Sequence, residues 1–233
     1  MIVLAIDTAG VDCAAAVFDS ETGKMLGCVS ETIGRGHAER LMAMIDEALA
    51  EAGLTLGDIE RIGVTVGPGS FTGIRVGVAA ARGLALALGV ECVGVSTLEV
   101  LAQTASEPEK PVLAAINAHR DQVYAQSFEH GAPQGEPLLL ELDDYLARAA
   151  IPGTALVGSA SALVADREAE TAPDHYPIEI VARISATAKA QGKPKPLYLR
   201  GPDAKPQTGI CRIESLTCAT ACSTASPNSK SCP

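Results

Sequence analysis

Aromatic side chains make up 3% of this 233-residue sequence, and tryptophan is missing altogether. A chain so poor in rings cannot build its core from large aromatics, and it offers few platforms on which exposed bases could stack. Hydrophobic content is nonetheless 47%, enough for one large domain or two small lobes of closely packed α/β layers built from Ala, Val, Leu and Ile. Basic residues are also scarce: 18 Lys and Arg face 28 Asp and Glu, a formal net charge of −10. Phosphate contacts require clustered cations, so this balance argues against a protein that grips nucleic acid with its whole surface. The imbalance is uneven. Residues 183–205 hold six basic side chains (Arg183, Lys189, Lys193, Lys195, Arg200, Lys205) against Asp203, whereas residues 1–182 hold 10 basic and 26 acidic ones. Such a stretch reads first as a solvated face and second as a contact for RNA or an acidic partner.

Other absences narrow the chemistry. No run approaches the roughly 20 apolar residues of a membrane span, and MIVLAIDTAG lacks the basic start and long apolar stretch of a signal peptide, so a cytosolic, membrane-free protein is expected. No GxxxxGK[ST] loop, no GxSxG elbow and no paired CxxC knuckles occur, which excludes an ordinary P-loop NTPase and leaves no visible nucleophile–base constellation. His37 opens a helical pattern with Glu39 and Arg40, but the i+4 position is Leu41 and His119, His130 and His175 are scattered, so a two-histidine helical metal site is missing. Cys13, Cys28 and Cys92 lie in apolar, strand-like surroundings and read as small buried residues. Cys211, Cys218, Cys222 and Cys232 crowd the last 23 residues without zinc-knuckle spacing. From Thr208 onward the sequence has neither helical nor strand periodicity, and residues 208–233 read as an irregular Cys/Ser/Thr-rich tail, in character an altered reading frame or an appended end.

What is present alternates strands and helices. Val3 to Ile6 and Cys13 to Phe18 predict a β-hairpin, and Lys24 to Ile33 adds a third strand to make a meander. Leu41, Met44, Ile45, Ala48, Leu49 and Ala52, three and four apart, predict an amphipathic helix over 37–52 capped by Gly53. A buried strand at Ile62 to Val66, a helix from about Thr72 to Leu88 ending at Gly89, a strand at Val90 to Val95 and a short helix after Ser96-Thr97 follow. Beyond the polar spacer at 106–111, strands are expected at Val112 to Asn117, Val123 to Phe128, near Leu138 and at Ala155 to Val157, with helices near Asp143 to Ala149 and Glu179 to Ala190. Strands precede helices in both halves, which points to two related lobes.

Two stretches could carry chemistry. GPGSFTG, residues 67–73, stands between a strand and a helix, where free amides and the positive end of a helix dipole converge and glycine permits close approach to a ligand. The same residues also suit a tight turn with Ser70 or Thr72 as N-cap. Asp7-Thr8 ends the first strand, where a carboxylate and a hydroxyl could face a metal-bound phosphate. Asp7, Thr8, Ser70 and Thr72 are therefore the candidate cofactor-binding residues, and no catalytic or metal residue is assigned.

Taken together, AIDTAG, GHAERL, GPGSFTGIRVG, ARGLALALGV with GVSTLE, AAINAHRDQVYAQ and PLYLRGPDAKPQ resemble, in that order and spacing, the bacterial TsaB (YeaZ) family of tRNA threonylcarbamoyladenosine biosynthesis subunits. The resemblance covers about residues 1–207. It implies an α/β ASKHA fold (actin-like ATPase, sugar-kinase-like) of two related lobes with mixed sheets flanked by helices, placed at 1–105 and 106–207. It also implies a non-catalytic subunit that scaffolds a catalytic TsaD-type paralogue while the complex modifies N6 of the adenosine beside the tRNA anticodon. A TsaE-type ATPase is the third component, tRNA is met through the complex, and a homodimer is implied when the chain is alone. No intrinsic cofactor is implied, with ATP or ADP associated with the assembly. The TsaD-type paralogue carries an HxxxH metal site, whereas the matching place here is His37 to Leu41. The partner surface is expected on the first two helices, at Leu41, Met44, Ile45 and Leu49 and at the small residues Gly73, Gly77, Ala80 and Ala81, which allow close helix approach. An ASKHA small-molecule kinase and a glycoprotease-type peptidase are the enzyme alternatives.

Overall fold

A computed structural model of the chain describes residues 1–107, 109–190 and 192–201. Lys205, the four C-terminal cysteines and the expected tail lie outside these residues. Residues 1–201 form one compact unit. Its first half runs β1 (Ile2–Asp7), β2 (Asp12–Asp19), β3 (Lys24–Thr32), α1 (His37–Ala52), β4 (Arg61–Gly67), α2 (Phe71–Leu88), β5 (Glu91–Ser96) and α3 (Thr97–Ala102). The second half runs β6 (Val112–Asn117), β7 (Gln122–Glu129), β8 (Ala132–Glu141), α4 (Leu142–Ala149), β9 (Ala155–Val157), a 3-10 segment at Ser159–Val164 and α5 (Ile178–Thr187).

Two mixed sheets result, ordered β3-β2-β1-β4-β5 and β8-β7-β6-β9. In both, the first strand pairs antiparallel with the second and parallel with the fourth, with Leu4 opposite Ile62 in one sheet and Leu113 opposite Leu156 in the other. The second sheet thus repeats the first without its fifth strand. β1 and β2 are buried along almost their whole length because α1 and α2 pack on the first sheet and α5 packs on β1, β2 and β4 as well. A strand covered on both faces reads as a continuous apolar run instead of an alternating one, which is why IVLAI and CAAAVF look as they do.

The helical stripe of α1 has the expected period and points inward. Leu41 (1% exposed), Met44 (0%), Ile45 (0%) and Leu49 (5%) all sit in the core, each contributing about 1.5–3 kcal/mol of burial. They are therefore not available as a surface, and the expectation that these four form a partner face is corrected: an apolar stripe finds the sheet of its own chain first. Gly73, Gly77 and Ala81 are likewise buried, and Ala80 is half-buried. Gly53 ends α1 in the left-handed conformation, donating to Ala50 and Leu49 carbonyls.

Chain order alone would send α5 with the second sheet, yet it returns to the first. Arg61, at the start of β4, donates to the carbonyls of Ser185 (3.2 Å), Ala186 (3.1 Å) and Ala188 (3.1 Å) and also pairs with Glu91 at 2.6 Å. A guanidinium at the C-terminal end of α5 satisfies carbonyls that the helix itself cannot and opposes its dipole. Gly63 makes the fit flush, since a Cβ there would lie 1.8 Å from the Ser185 hydroxyl.

Among the described residues α2 is the helix with the length and mean hydropathy, 1.4 over 18 residues, of a membrane span, but its inner stripe packs on β4 and β1. Two of its glycines differ sharply. A Cβ on Gly83 meets nothing within 4 Å, whereas one on Gly77 would lie 2.4 Å from the Thr8 hydroxyl. Gly83→Ala is expected to stabilise the fold by about 0.5–1 kcal/mol and Gly77→Ala to destabilise it by about 1–3 kcal/mol in denaturant unfolding. Equal effects of the two changes would contradict this packing.

Candidate functional site

The end of β1 and the loop before α2 are locked together. Asp7 is fully buried, and its Oδ1 accepts from the Thr65 hydroxyl at 2.5 Å and the Ala9 amide at 3.0 Å, while Oδ2 is buried without a partner. The buried Thr8 hydroxyl donates to the Gly73 carbonyl at 2.7 Å, and the Ser70 amide donates to the Ala9 carbonyl at 2.7 Å. The glycines allow this contact. A Cβ on Gly73 would stand 1.9 Å from the Thr8 carbonyl oxygen, and one on Gly69 would stand 2.5 Å from that of Ala9. Backbone therefore packs directly on Thr8 and Ala9, and the Asp7 and Thr8 side chains are committed to protein partners. Burial raises the Asp7 carboxyl to about 6, opposed by the hydrogen bonds from Thr65 and Ala9.

Ser70 and Thr72 have separate positions. Ser70 is the N-cap of α2, accepting from the Gly73 amide at 3.2 Å, and it also reaches a cleft between the two sheets. Thr72 lies exposed on the first turn of the helix. Of the four candidate residues the cleft thus receives Ser70.

That cleft has a volume of about 600 Å³ and is lined by Ser70, Asn117, His119, Ser159, Asp174 and Arg200 among others. One wall is a strap, residues 171–176, that ties the sheets together. Asn117 donates to Thr171 at 3.1 Å, Asp174 accepts from both the amide (2.7 Å) and hydroxyl (2.5 Å) of Ser159, and His175 meets Asp12 at 2.6 Å. Burial pushes the Asp174 carboxyl up, against the pull of Ser159. Across the cleft, His119, Arg120 and Asp121 all take positive φ, between 56° and 58°, a conformation costly for residues other than glycine. Arg200 braces that turn by donating to the Ala118 carbonyl at 3.0 Å and to Gln122 Oε1 at 2.7 Å. Sequence reading missed this strap and turn because the partners lie 15 to 163 residues apart and neither has a local pattern.

His37 is buried, its Nε2 3.1 Å from the Asp12 carbonyl oxygen, and Leu41 at the i+4 position faces the core. The imidazole joins α1 to the start of β2 and has no second histidine ligand beside it. Among the described residues no three His, Cys, Asp or Glu side chains converge as a metal site. Cys13 is buried and Cys28 and Cys92 are half-buried, with burial raising each thiol to about 11, so none is a ready nucleophile.

Two sheets of matching strand order around a central cleft define an ASKHA-type, two-lobed α/β protein. Residues 14–171 match the family model described as TsaD, tRNA N6-adenosine threonylcarbamoyltransferase. The chain is similar to YeaZ from Pseudomonas aeruginosa, with a TM-score of 0.69 and 29% identity over 85% of this chain and 99% of that one. It is 38% identical over 141 residues to the tRNA threonylcarbamoyladenosine biosynthesis protein TsaB of Escherichia coli, covering 58% of this chain and 60% of the relative. A Mycobacterium bovis protein, uncharacterized protein Mb3455c, is 33% identical over 210 residues, 88% of this chain and 94% of its own length. The chain belongs to the family that the TsaD model describes, and it is similar to the TsaB (YeaZ) proteins. It spans about half to three-fifths of the length of the curated TsaB relatives it matches.

The buried Asp7 carboxylate gives a pH signature. Its folded value lies above the ordinary carboxylate range, so stability is fully present below about pH 4 and is lost as pH rises through about 6. By linkage the cost above pH 6 is on the order of 3 kcal/mol. Asp7→Asn is expected to raise the thermal midpoint at pH 8 and to leave it nearly unchanged at pH 4. A shift of the same size at both pH values would contradict the assignment.

Proposed function

We propose that the chain is a non-catalytic subunit for N6-threonylcarbamoylation of the adenosine beside the tRNA anticodon, acting on a TsaD-type catalytic partner by contact. The observation that carries this reading is the sealing of Asp7 and Thr8 behind Gly69 and Gly73, together with Leu41 in place of a second metal histidine. The loop ahead of α2 is packed on the end of β1. The similarity to TsaB proteins and the match to the TsaD family model support the reaction, and the TsaD-type partner is proposed with it.

The surface for that partner is proposed on the outward sides of α1 and α2, which pack side by side. Met42 on α1 is 45% exposed and Leu86 on α2 is 79% exposed, and on α2 Ala79 and Gly83 are also exposed and Ala80 is half-buried. Small residues in such a strip let a second helix pair come close, and a few exposed apolar anchors supply most of the association energy. In the same reading this strip pairs two copies when the partner is absent, a TsaE-type ATPase joins the assembly, and nucleotide belongs to the assembly. The site of action is the cytoplasm, and tRNA is met through the complex.

Co-purification with a TsaD-type protein, followed by reconstituted modification of unmodified tRNA, tests the proposal. The chain is expected to bind and to be required for modification. The double change Met42→Asp and Leu86→Asp is expected to weaken binding by at least about tenfold, or 1.4 kcal/mol, with the fold intact by circular dichroism. Leu41→Asp instead buries an unpaired charge and is expected to unfold the chain. Modification that proceeds equally well without the chain, or a double variant that binds as tightly as the parent, would overturn the reading.

A further inference from the structure

The chain has three Phe, four Tyr and no Trp, and Phe18, Phe128, Tyr145 and Tyr176 are in the core. Phe71 and Tyr198 are the exposed ones, at 56% and 46%. Although 127 residues apart in the chain, they meet: the ring centroids are 5.3 Å apart with planes tilted by 37°. Arg75 joins the pair, its guanidinium carbon 3.8 Å above the Phe71 ring and its Nε donating to the Tyr198 hydroxyl at 2.7 Å. The rings are thus held in a fixed arrangement before any ligand arrives, and each keeps much of its surface in solvent.

A strip of cations runs through the same place. Residues 181–201 contain five basic side chains and no acidic one. Lys193 and Lys195 are exposed and Arg200 is partly so. No ion pair among the described residues involves Arg75, Lys193, Lys195 or Arg200; the pairs belong to residues such as Arg40, Arg61, Lys110 and Arg167. The path of the strip is fixed. Pro194 packs beside Gly94 of β5, the Leu197 amide donates to the Val66 carbonyl at the end of β4 at 2.8 Å, and Arg200 reaches the β6–β7 turn. Residues 193–200 therefore pass the C-terminal ends of β4 and β5 to the cleft rim, a span of at most about 25 Å.

We infer that the Phe71–Arg75–Tyr198 stack and the Lys193–Arg200 strip form a contact surface for single-stranded RNA. Cations in a row track a phosphate backbone, and a rigid exposed ring backed by a guanidinium offers a face on which a base stacks. An acidic peptide would use the cations but would leave the rings without a role. On a chain whose net charge is −10, the acidic remainder repels a polyanion while cations gathered at one place attract it, which favours a local, short contact over wholesale binding. The choice of RNA over DNA rests on the proposed function; the cation and aromatic surface does not.

The test is fluorescence anisotropy of a labelled single-stranded RNA of about 12 nucleotides, titrated with the 233-residue chain and no partner protein, at several salt concentrations. Saturable binding is expected, with a log–log salt slope near −3, as for about four phosphates. The double change Phe71→Ala and Tyr198→Ala is expected to weaken binding by roughly tenfold or more with the slope unchanged. Lys193→Ala with Lys195→Ala is expected to weaken binding and flatten the slope by about 1.4. Both pairs of changes are at exposed positions, and cooperative melting of each variant confirms that it is folded. No binding at low salt, an aromatic variant that binds like the parent, or polyglutamate bound as tightly as the RNA would overturn the inference; the last outcome assigns the strip to an acidic protein. Because no partner is present, RNA binding here with failure of the co-purification test would remove the proposed function and leave this surface standing, and the opposite pair of results would do the reverse.

Discussion

The hydrogen bond from the Thr8 hydroxyl to the Gly73 carbonyl, and the glycine contacts on either side of it, fix the first half of the molecule. β1 supplies Asp7, Thr8 and Ala9, and the loop ahead of α2 is laid directly on them. With that loop in place, Ser70 caps α2, the inner stripe of the helix drops onto β4, and Phe71 and Arg75 are left facing out. The same closure leaves one buried carboxylate oxygen without a partner, a cost tolerated because the rest of the carboxylate is tied to Thr65 and Ala9. The Asp7 carboxylate, the Thr8 hydroxyl and the Ala9 carbonyl are all committed to contacts within the chain.

Much of the architecture was legible in the residues. The period of α1 and the glycine after it give limits of 37–52 that the structure repeats, and the paired strands at 112–117 and 123–128 fall where the apolar runs lie. What periodicity cannot say is which way an apolar stripe faces. Leu41, Met44, Ile45 and Leu49 have the same spacing whether they meet a partner or their own sheet, and the sheet, being tethered, wins. The return of α5 to the first sheet was also invisible, because it depends on Arg61 and Gly63 meeting carbonyls and a hydroxyl more than 120 residues away. GPGSFTG was recognisable as a site of close approach, but not what approaches: a ligand and a neighbouring strand end ask the same thing of glycine.

Two sheets of the same order, one lacking its fifth strand, give the chain the outline of an ASKHA protein with unequal halves. The smaller sheet has its own compact core around Tyr145 and Val123, while the strap at 171–176 and the brace of Arg200 join it to the larger. Function in the proposed reading then lies on outward surfaces: an apolar face on α1 and α2 for a related subunit, and a cation and ring surface at the edge of the cleft for nucleic acid. Neither requires the cleft to perform chemistry.

Central to the proposed function is that the loop after β4, packed on the end of β1, leaves no phosphate site at Asp7 and Thr8. Isothermal titration of the isolated chain with magnesium ATP tests it most directly. The account predicts no saturable heat at millimolar nucleotide, with Asp7→Asn indistinguishable from the parent. Tight, magnesium-dependent binding that Asp7→Asn abolishes would contradict it.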